Sequence, residues 1–165
     1  MDFQLPEEQK LFQESVRGFA ERHLSDGALE RAHKHEYPYD VAKLMSEQGL
    51  LGITIKEDDG GIGGTLLDAV LAIEQVSQVC PRSADVIQAG NFGAIRTFAE
   101  YATPEQKEEY LPGLLAGEKV VAVGMTEPTA GSATTDLQTT ATPDGEGFRI
   151  NGEKAFIGNS EYADV

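Results

Sequence analysis

The run Gly124-Met125-Thr126-Glu127-Pro128-Thr129-Ala130-Gly131-Ser132 concentrates hydroxyls, small residues and glycines in one short segment. Such a turn can present backbone N–H groups and side-chain hydroxyls to an anion or to the polar edge of a ring. The same composition also suits an ordinary Ser/Thr-rich connection between strands, so residue chemistry alone leaves both readings open. The glycine cluster Gly60-Gly61-Ile62-Gly63-Gly64 sits where a phosphate loop could sit, between an apolar stretch and a helix. It lacks the Gly-Lys-Ser/Thr ending and does not fit G-x-G-x-x-G, so it reads as a tight structural loop. His23, His33 and His35 have no cysteine or acidic ligand at a metal-binding spacing, and no metal is expected. Cys80 is the single cysteine. It excludes an internal disulfide framework and reads as a structural thiol in a reducing compartment.

Composition narrows the partners. Thirteen basic residues against 28 acidic ones leave a net charge of -15. That field repels phosphate backbones and anionic membranes, so neither nucleic acid nor a membrane is expected as a partner. An anionic small ligand would need local backbone donors or positive groups. The opening MDFQLPEEQK has no apolar core of a signal peptide, and the apolar run around Leu66 to Ile73 is too short to span a bilayer. A cytoplasmic, soluble protein is expected. At 40% hydrophobic, 165 residues suffice for one domain, or one and the start of another.

The elements that would position the hydroxyl-rich run are mostly helical. Pro6, with Glu7 and Glu8 behind it, predicts a helix to about Leu24, with Leu11, Phe12, Val16, Phe19 and Ala20 on its buried face. A second helix is expected from about Asp40 to a stop at Gly49. Leu50 to Ile55 reads as a short β-like stretch. Thr65 opens a helix to about Val79 that is apolar nearly all round and should be central. One long helix is expected over roughly Ser83 to Tyr101, with Gly90 and Gly93 allowing another backbone to approach. Thr103, Pro104 and Gln106 form a capping box that starts the last helix, which Pro112 should end or kink and Gly117 should close.

At Lys119 the pattern changes to strands. Val120 to Met125 and Leu137 to Thr142 read as strands, Pro143-Asp144-Gly145 as a turn, and Asn151-Gly152 as a type I′ hairpin between Phe148–Ile150 and Lys154–Ile157. The expected class is α+β: an N-terminal all-α helical bundle over residues 1–118, then the first strands of an incomplete β-barrel-like domain over 119–165. Three or four strands without closure would leave an exposed edge, which argues that the chain is truncated.

Several segments together resemble one family. GMTEPTAGS followed by LQTTA (Leu137 to Ala141) is similar to the signature of the acyl-CoA dehydrogenases. MDFQLPEEQKLFQESVRGFA resembles that family's opening helix. GLLGITIKEDDGGIGGTLLD resembles its second-helix-to-loop passage, and TPEQKEEYLPGLLAGE the segment before its β-domain. INGEKAFIGNSEYADV resembles a later β-domain element. The matches fall in order across essentially the whole chain.

The resemblance implies an FAD enzyme that dehydrogenates an acyl-CoA thioester between its α and β carbons, with hydride passing to the flavin and electrons onward to an electron-transfer flavoprotein. It implies a homo-oligomer in full-length form. By position it implies that Val123, Gly124, Met125 and Thr126 run along the flavin edge, with Thr126 bonded to the ring. Gly131 and Ser132 would lie near the flavin pyrophosphate, Ser132 also touching the substrate's pantetheine. Phe156, Ile157 and Gly158 would pack by the ring, Phe156 where the family usually has Trp. Three departures stand out: Ala133 where Asp commonly follows the Gly-Ser pair, with Asp136 three residues on; Gly158 for Thr; and Phe156 for Trp. No catalytic base is expected on this chain, since the family's lies in a C-terminal domain, and the chain alone is expected to be inactive. An acyl-CoA oxidase or flavin monooxygenase of the same fold, and a non-catalytic partner subunit, are the alternatives.

Overall fold

The computed structural model describes residues 4–165 of the chain, so the reading of the opening segment falls partly outside it. Helix α1 (Glu7–His23) begins after Pro6 and carries Glu7 and Glu8 in its first turn, where acidic side chains complement the helix dipole. Its buried face is Val16, Phe19 and Ala20. A short α2 (Ala28–His33), which hydrophobic periodicity did not predict, leads into α3 (Tyr39–Glu47). Then come α4 (Leu66–Ser77), α5 (Pro81–Ala89), α6 (Ala94–Tyr101) and α7 (Pro104–Leu115). No described helix is long and apolar enough to cross a membrane.

Two capping boxes set helix starts. Thr65 accepts from the Asp68 amide while Asp68 accepts from the Thr65 amide at α4. Thr103 and Gln106 do the same at α7, as the sequence predicts. Each box satisfies two otherwise orphaned backbone donors. Pro112 does not end α7, which continues to Leu115. Leu111 and Leu114, on either side of the proline, are both buried in one core cluster with Ile55, Ile95 and Ala99. That packing holds the helix through the hydrogen bond the proline removes.

The long helix expected over 83–101 is instead two, α5 and α6, broken between Gly90 and Gly93. The break receives the 50–55 segment. The Gly52 amide donates to the Gly90 carbonyl at 3.0 Å, and a Cβ on Gly90 would lie 2.7 Å from Leu51 Cδ2. Asn91, fully buried, donates through Nδ2 to the Leu50 and Ile87 carbonyls at 2.8 Å each. Leu50 to Ile55 is therefore a run of turns and not a strand. Its polar backbone is satisfied by Asn91, by Gly90 and by the glycine loop, whose Gly63 and Gly64 amides donate to Ile55 and Ile53. Helix α4 packs against both α1 and α5, as a central helix should, but it is not buried all round. Ala69, Leu71, Ala72, Gln75 and Val76 are buried, but Leu66, Leu67 and Val70 are each about half exposed.

Beyond residue 118 two strands form, β1 (Thr140–Asp144) and β2 (Gly147–Asn151), paired antiparallel with Asp144 opposite Gly147. The turn is at Gly145, whose φ of 64° is the left-handed conformation such a tight turn needs. Pro143-Asp144-Gly145 thus makes the hairpin. Asn151-Gly152 instead marks the exit from β2, where a Cβ on Gly152 would overlap the Thr139 side chain. Lys154 to Ile157 forms no strand, and neither does Val120 to Met125. Val120 to Met125 carries a few hydrogen bonds, the Ala122 amide to the Val165 carbonyl and the Val120 amide to the Asp164 carboxylate, while the Ala155 amide donates to the Thr126 carbonyl just beyond it. The Asp164 and Val165 amides also donate to the Val120 carbonyl, so the pairing is confined to Val120 and Ala122 against Asp164 and Val165 and extends into no ladder. The described architecture is a helical N-terminal domain followed by a two-stranded antiparallel hairpin, α+β in class.

Candidate functional site

Val123 to Thr126, the first of the expected site residues, form an exposed edge. Val123, Gly124 and Met125 are exposed and Thr126 is half-buried. Among the described residues, the amides of 123–126 and the Thr126 hydroxyl make no intrachain hydrogen bond. Unpaired backbone donors outside a ladder are normally satisfied by water or a ligand.

Glu127 pins this edge from behind. It is only 5% exposed. Its carboxylate accepts from the Gln138 amide at 2.6 Å, the Thr139 amide at 2.9 Å and Lys154 Nζ at 2.9 Å. The Thr139 side chain beside it, then the Gln138 amide, then Lys154, hold its carboxyl down to about 2. Hydrogen bonds of this kind favour the charged form. Lys154 Nζ also donates to the Met125 carbonyl at 3.1 Å. One ion pair therefore joins the turn, the start of β1 and the 154–158 segment.

The fold brings 123–126 beside 154–157. The Ala155 amide donates to Thr126, and a Cβ on Gly124 would sit 3.3 Å from Lys154 Cγ and 3.9 Å from Ile157 Cδ1. Phe156 follows at φ 57° and is 95% exposed. A bulky residue at positive φ is strained, and such strain collects at functional positions. Gly131 and Ser132 lie just past a bridge between Glu127 and Ala130, both exposed. No hydrogen bond ties them to 154–158 among the described residues. Asp136 sits exposed in a 3-10 turn (Thr134–Asp136) and accepts from the Thr135 hydroxyl. Gly158, next in the chain after Ile157, lines a pocket with the loop before α3 and with α5.

Sequence reasoning passed over Glu127 and Lys154 as organisers. The available signal was that Glu127 is the single charge within 124–132. Its partners lie 11 to 27 residues away, and the sequence gives no hint of that proximity. Among the described residues, no cluster of His, Cys, Asp and Glu could hold a metal. Cys80 is buried and accepts from the Ser83 hydroxyl at 3.1 Å.

Comparison with known proteins fits this geometry. The acyl-CoA dehydrogenase N-terminal domain family matches residues 6–118, and the acyl-CoA dehydrogenase middle domain family matches 122–165. The chain is 38% identical to a short-chain-specific acyl-CoA dehydrogenase of Clostridium acetobutylicum over 165 residues, all of this chain and 44% of that protein. It is 35% identical to a 3-sulfinopropanoyl-CoA desulfinase of Paraburkholderia xenovorans, over 94% of this chain and 40% of that one. A solved acyl-CoA dehydrogenase from Bacillus anthracis, complexed with FAD, superimposes with a TM-score of 0.82 at 31% identity, covering 98% of this chain and 28% of that one. The chain thus spans less than half the length of the relatives it matches. With its helical part matched by the family's N-terminal domain and residues 122–165 by its middle domain, this chain belongs to the acyl-CoA dehydrogenase family.

Proposed function

We propose that this chain supplies the flavin-seating portion of an FAD-dependent acyl-CoA dehydrogenase, with a helical unit at 1–118 and the start of a β unit at 119–165. One observation carries the reading. Val123 to Thr126 offers a run of unpaired amides and a free Thr126 hydroxyl beside the exposed ring of Phe156. A planar group with a polar edge fits that arrangement. An aromatic left 95% exposed at a strained φ gains most from stacking on such a group.

In this reading Val123, Gly124, Met125 and Thr126 hold the ring edge, and the Thr126 hydroxyl donates to it. Phe156 and Ile157 cover a face of the ring, with Gly158 at its margin. Gly131 and Ser132 meet the cofactor's phosphates, and Ser132 also meets the acyl-CoA. Bound FAD supplies the hydride acceptor for α,β-dehydrogenation of the thioester. Glu127 is not the proton-abstracting base. Its lone pairs are committed to Gln138, Thr139 and Lys154, and a carboxylate held at about 2 is a weak base at neutral pH. An electron-transfer flavoprotein as acceptor, self-association and a cytoplasmic setting complete the proposal. The desulfinase relative, as similar as many dehydrogenases, supports a second reading in which the same seat serves a different acyl-CoA reaction.

The test is a titration of the protein with FAD, followed by flavin absorbance. Saturable binding is expected, weakened roughly tenfold by Thr126→Val through loss of one hydrogen bond and weakened also by Phe156→Ala. Binding that neither variant alters would overturn the assignment of this edge.

A further inference from the structure

A pocket of about 190 Å³ opens where the loop before α3 and helix α5 meet the 158–159 turn, lined by the polar Tyr37, Arg82, Asp85, Gln88 and Asn159, by Gly158, and by the apolar Pro38 and Val86. Pockets that swallow a whole ligand run to about 300–1,000 Å³, so this one suits a single end of a longer molecule. Its wall includes Gly158, a member of the proposed flavin set. Whatever fills it therefore lies next to the cofactor, and the inference rests on that reading.

The lining is rich in uncommitted donors. The side chains of Tyr37, Gln88 and Asn159 make no hydrogen bond among the described residues. Burial, and then the neighbouring Tyr39, push the Tyr37 phenol up to about 12, while Arg82 opposes that shift. Tyr37 thus keeps its proton at neutral pH and can donate it. Arg82 donates from Nη2 to the Glu36 carbonyl at 3.3 Å and meets Asp85 at 3.8 Å. The Asp85 side chain is 70% exposed. A loose, exposed pair of this kind contributes little, and the guanidinium's other N–H donors remain available. An apolar chain end placed here would cover the half-buried Tyr37 and Asn159 donors without pairing them, which a polar site disfavours. In a chain with a net charge of -15, an incoming anion needs a local cation, and Arg82 provides one.

We infer that this pocket receives the anionic end of the substrate's acyl group, so that the substrate is an acyl-CoA with a terminal carboxylate or a group of similar charge and shape. Asp85 competes with that anion for Arg82 and sets how tightly it is held.

Two unreactive thioethers test this by calorimetry on the FAD-loaded protein: S-butyl-CoA and S-(3-carboxypropyl)-CoA, which differ only in the terminal methyl or carboxylate. The carboxylated ligand is expected to bind about tenfold or more tightly, the worth of a charge-assisted contact. Arg82→Gln should abolish that preference and leave S-butyl-CoA within about twofold. Asp85→Asn should tighten the carboxylated ligand severalfold, a gain that misfolding cannot imitate. Equal affinity of the wild-type protein for both ligands, or an equal loss for both in Arg82→Gln, would overturn the inference. Where FAD and S-butyl-CoA bind but the carboxylate earns no preference, only this inference falls. Where neither FAD nor either thioether binds, the flavin reading falls with it.

Discussion

Glu127 does its work by remaining charged. Its carboxyl is held at about 2, against an ordinary 4.5, by the Thr139 side chain, the Gln138 amide and Lys154. A depressed folded value means the interaction stabilises fully above about 4.5 and is lost as pH falls through about 2. Hydrogen-exchange protection of the Gln138 and Thr139 amides is therefore expected to hold at pH 4.5 and above and to collapse toward pH 2. Glu127→Gln should lose the same protection at neutral pH, because the neutral amide accepts more weakly and leaves Lys154 uncompensated. Protection unchanged in that variant would show that the turn is fixed by other contacts. The same residue illustrates a limit of sequence reading: the motif was legible as a motif, but which of its members faced inward was not.

At the scale of elements, capping chemistry was local and readable. Thr103 with Gln106 lies within three residues of chain, and so does Thr65 with Asp68. Thr65→Ala and Thr103→Ala are each expected to cost about 1 kcal/mol in urea unfolding. The closure of α7 rests on tighter geometry. Gly117 has φ 72°, and a Cβ there would lie 2.5 Å from the Ala42 carbonyl carbon. Gly117→Ala should destabilise by more than about 1 kcal/mol, since it adds both backbone strain and overlap with α3. A midpoint equal to wild type would overturn this. The continuation of α7 past Pro112 and the split of α5 from α6 have one reason. Local rules treat proline as a stop and a continuous apolar pattern as one helix, while burial of Leu111 and Leu114 and insertion of Leu51 at Gly90 decided otherwise.

For the molecule as a whole, Asn91 joins parts that are far apart in sequence. It bonds the Leu50 carbonyl 41 residues away and accepts from the Thr54 amide at 3.3 Å. Asn91→Leu is expected to cost about 3 kcal/mol or more, because it strands buried backbone groups that it now satisfies. Global unfolding by circular dichroism measures this, and a loss below about 1 kcal/mol would contradict the role.

The sequence by itself determined the helical first part, most helix starts, the α+β class and the family, because caps, periodicity and short motifs are encoded within a few neighbouring residues. Tertiary structure alone decided that 120–125 and 154–157 form no strands, since pairing depends on partners distant in the chain. It also decided which turn signal makes the hairpin: Asp144 pairs with Gly147, while Gly152 must clear Thr139. And it placed Gly158 beside Arg82, 76 positions earlier in the chain, by packing residues 158–162 against the 35–38 loop and α5. Burial and long-range proximity are sums over the whole fold, and no local stretch of sequence carries them.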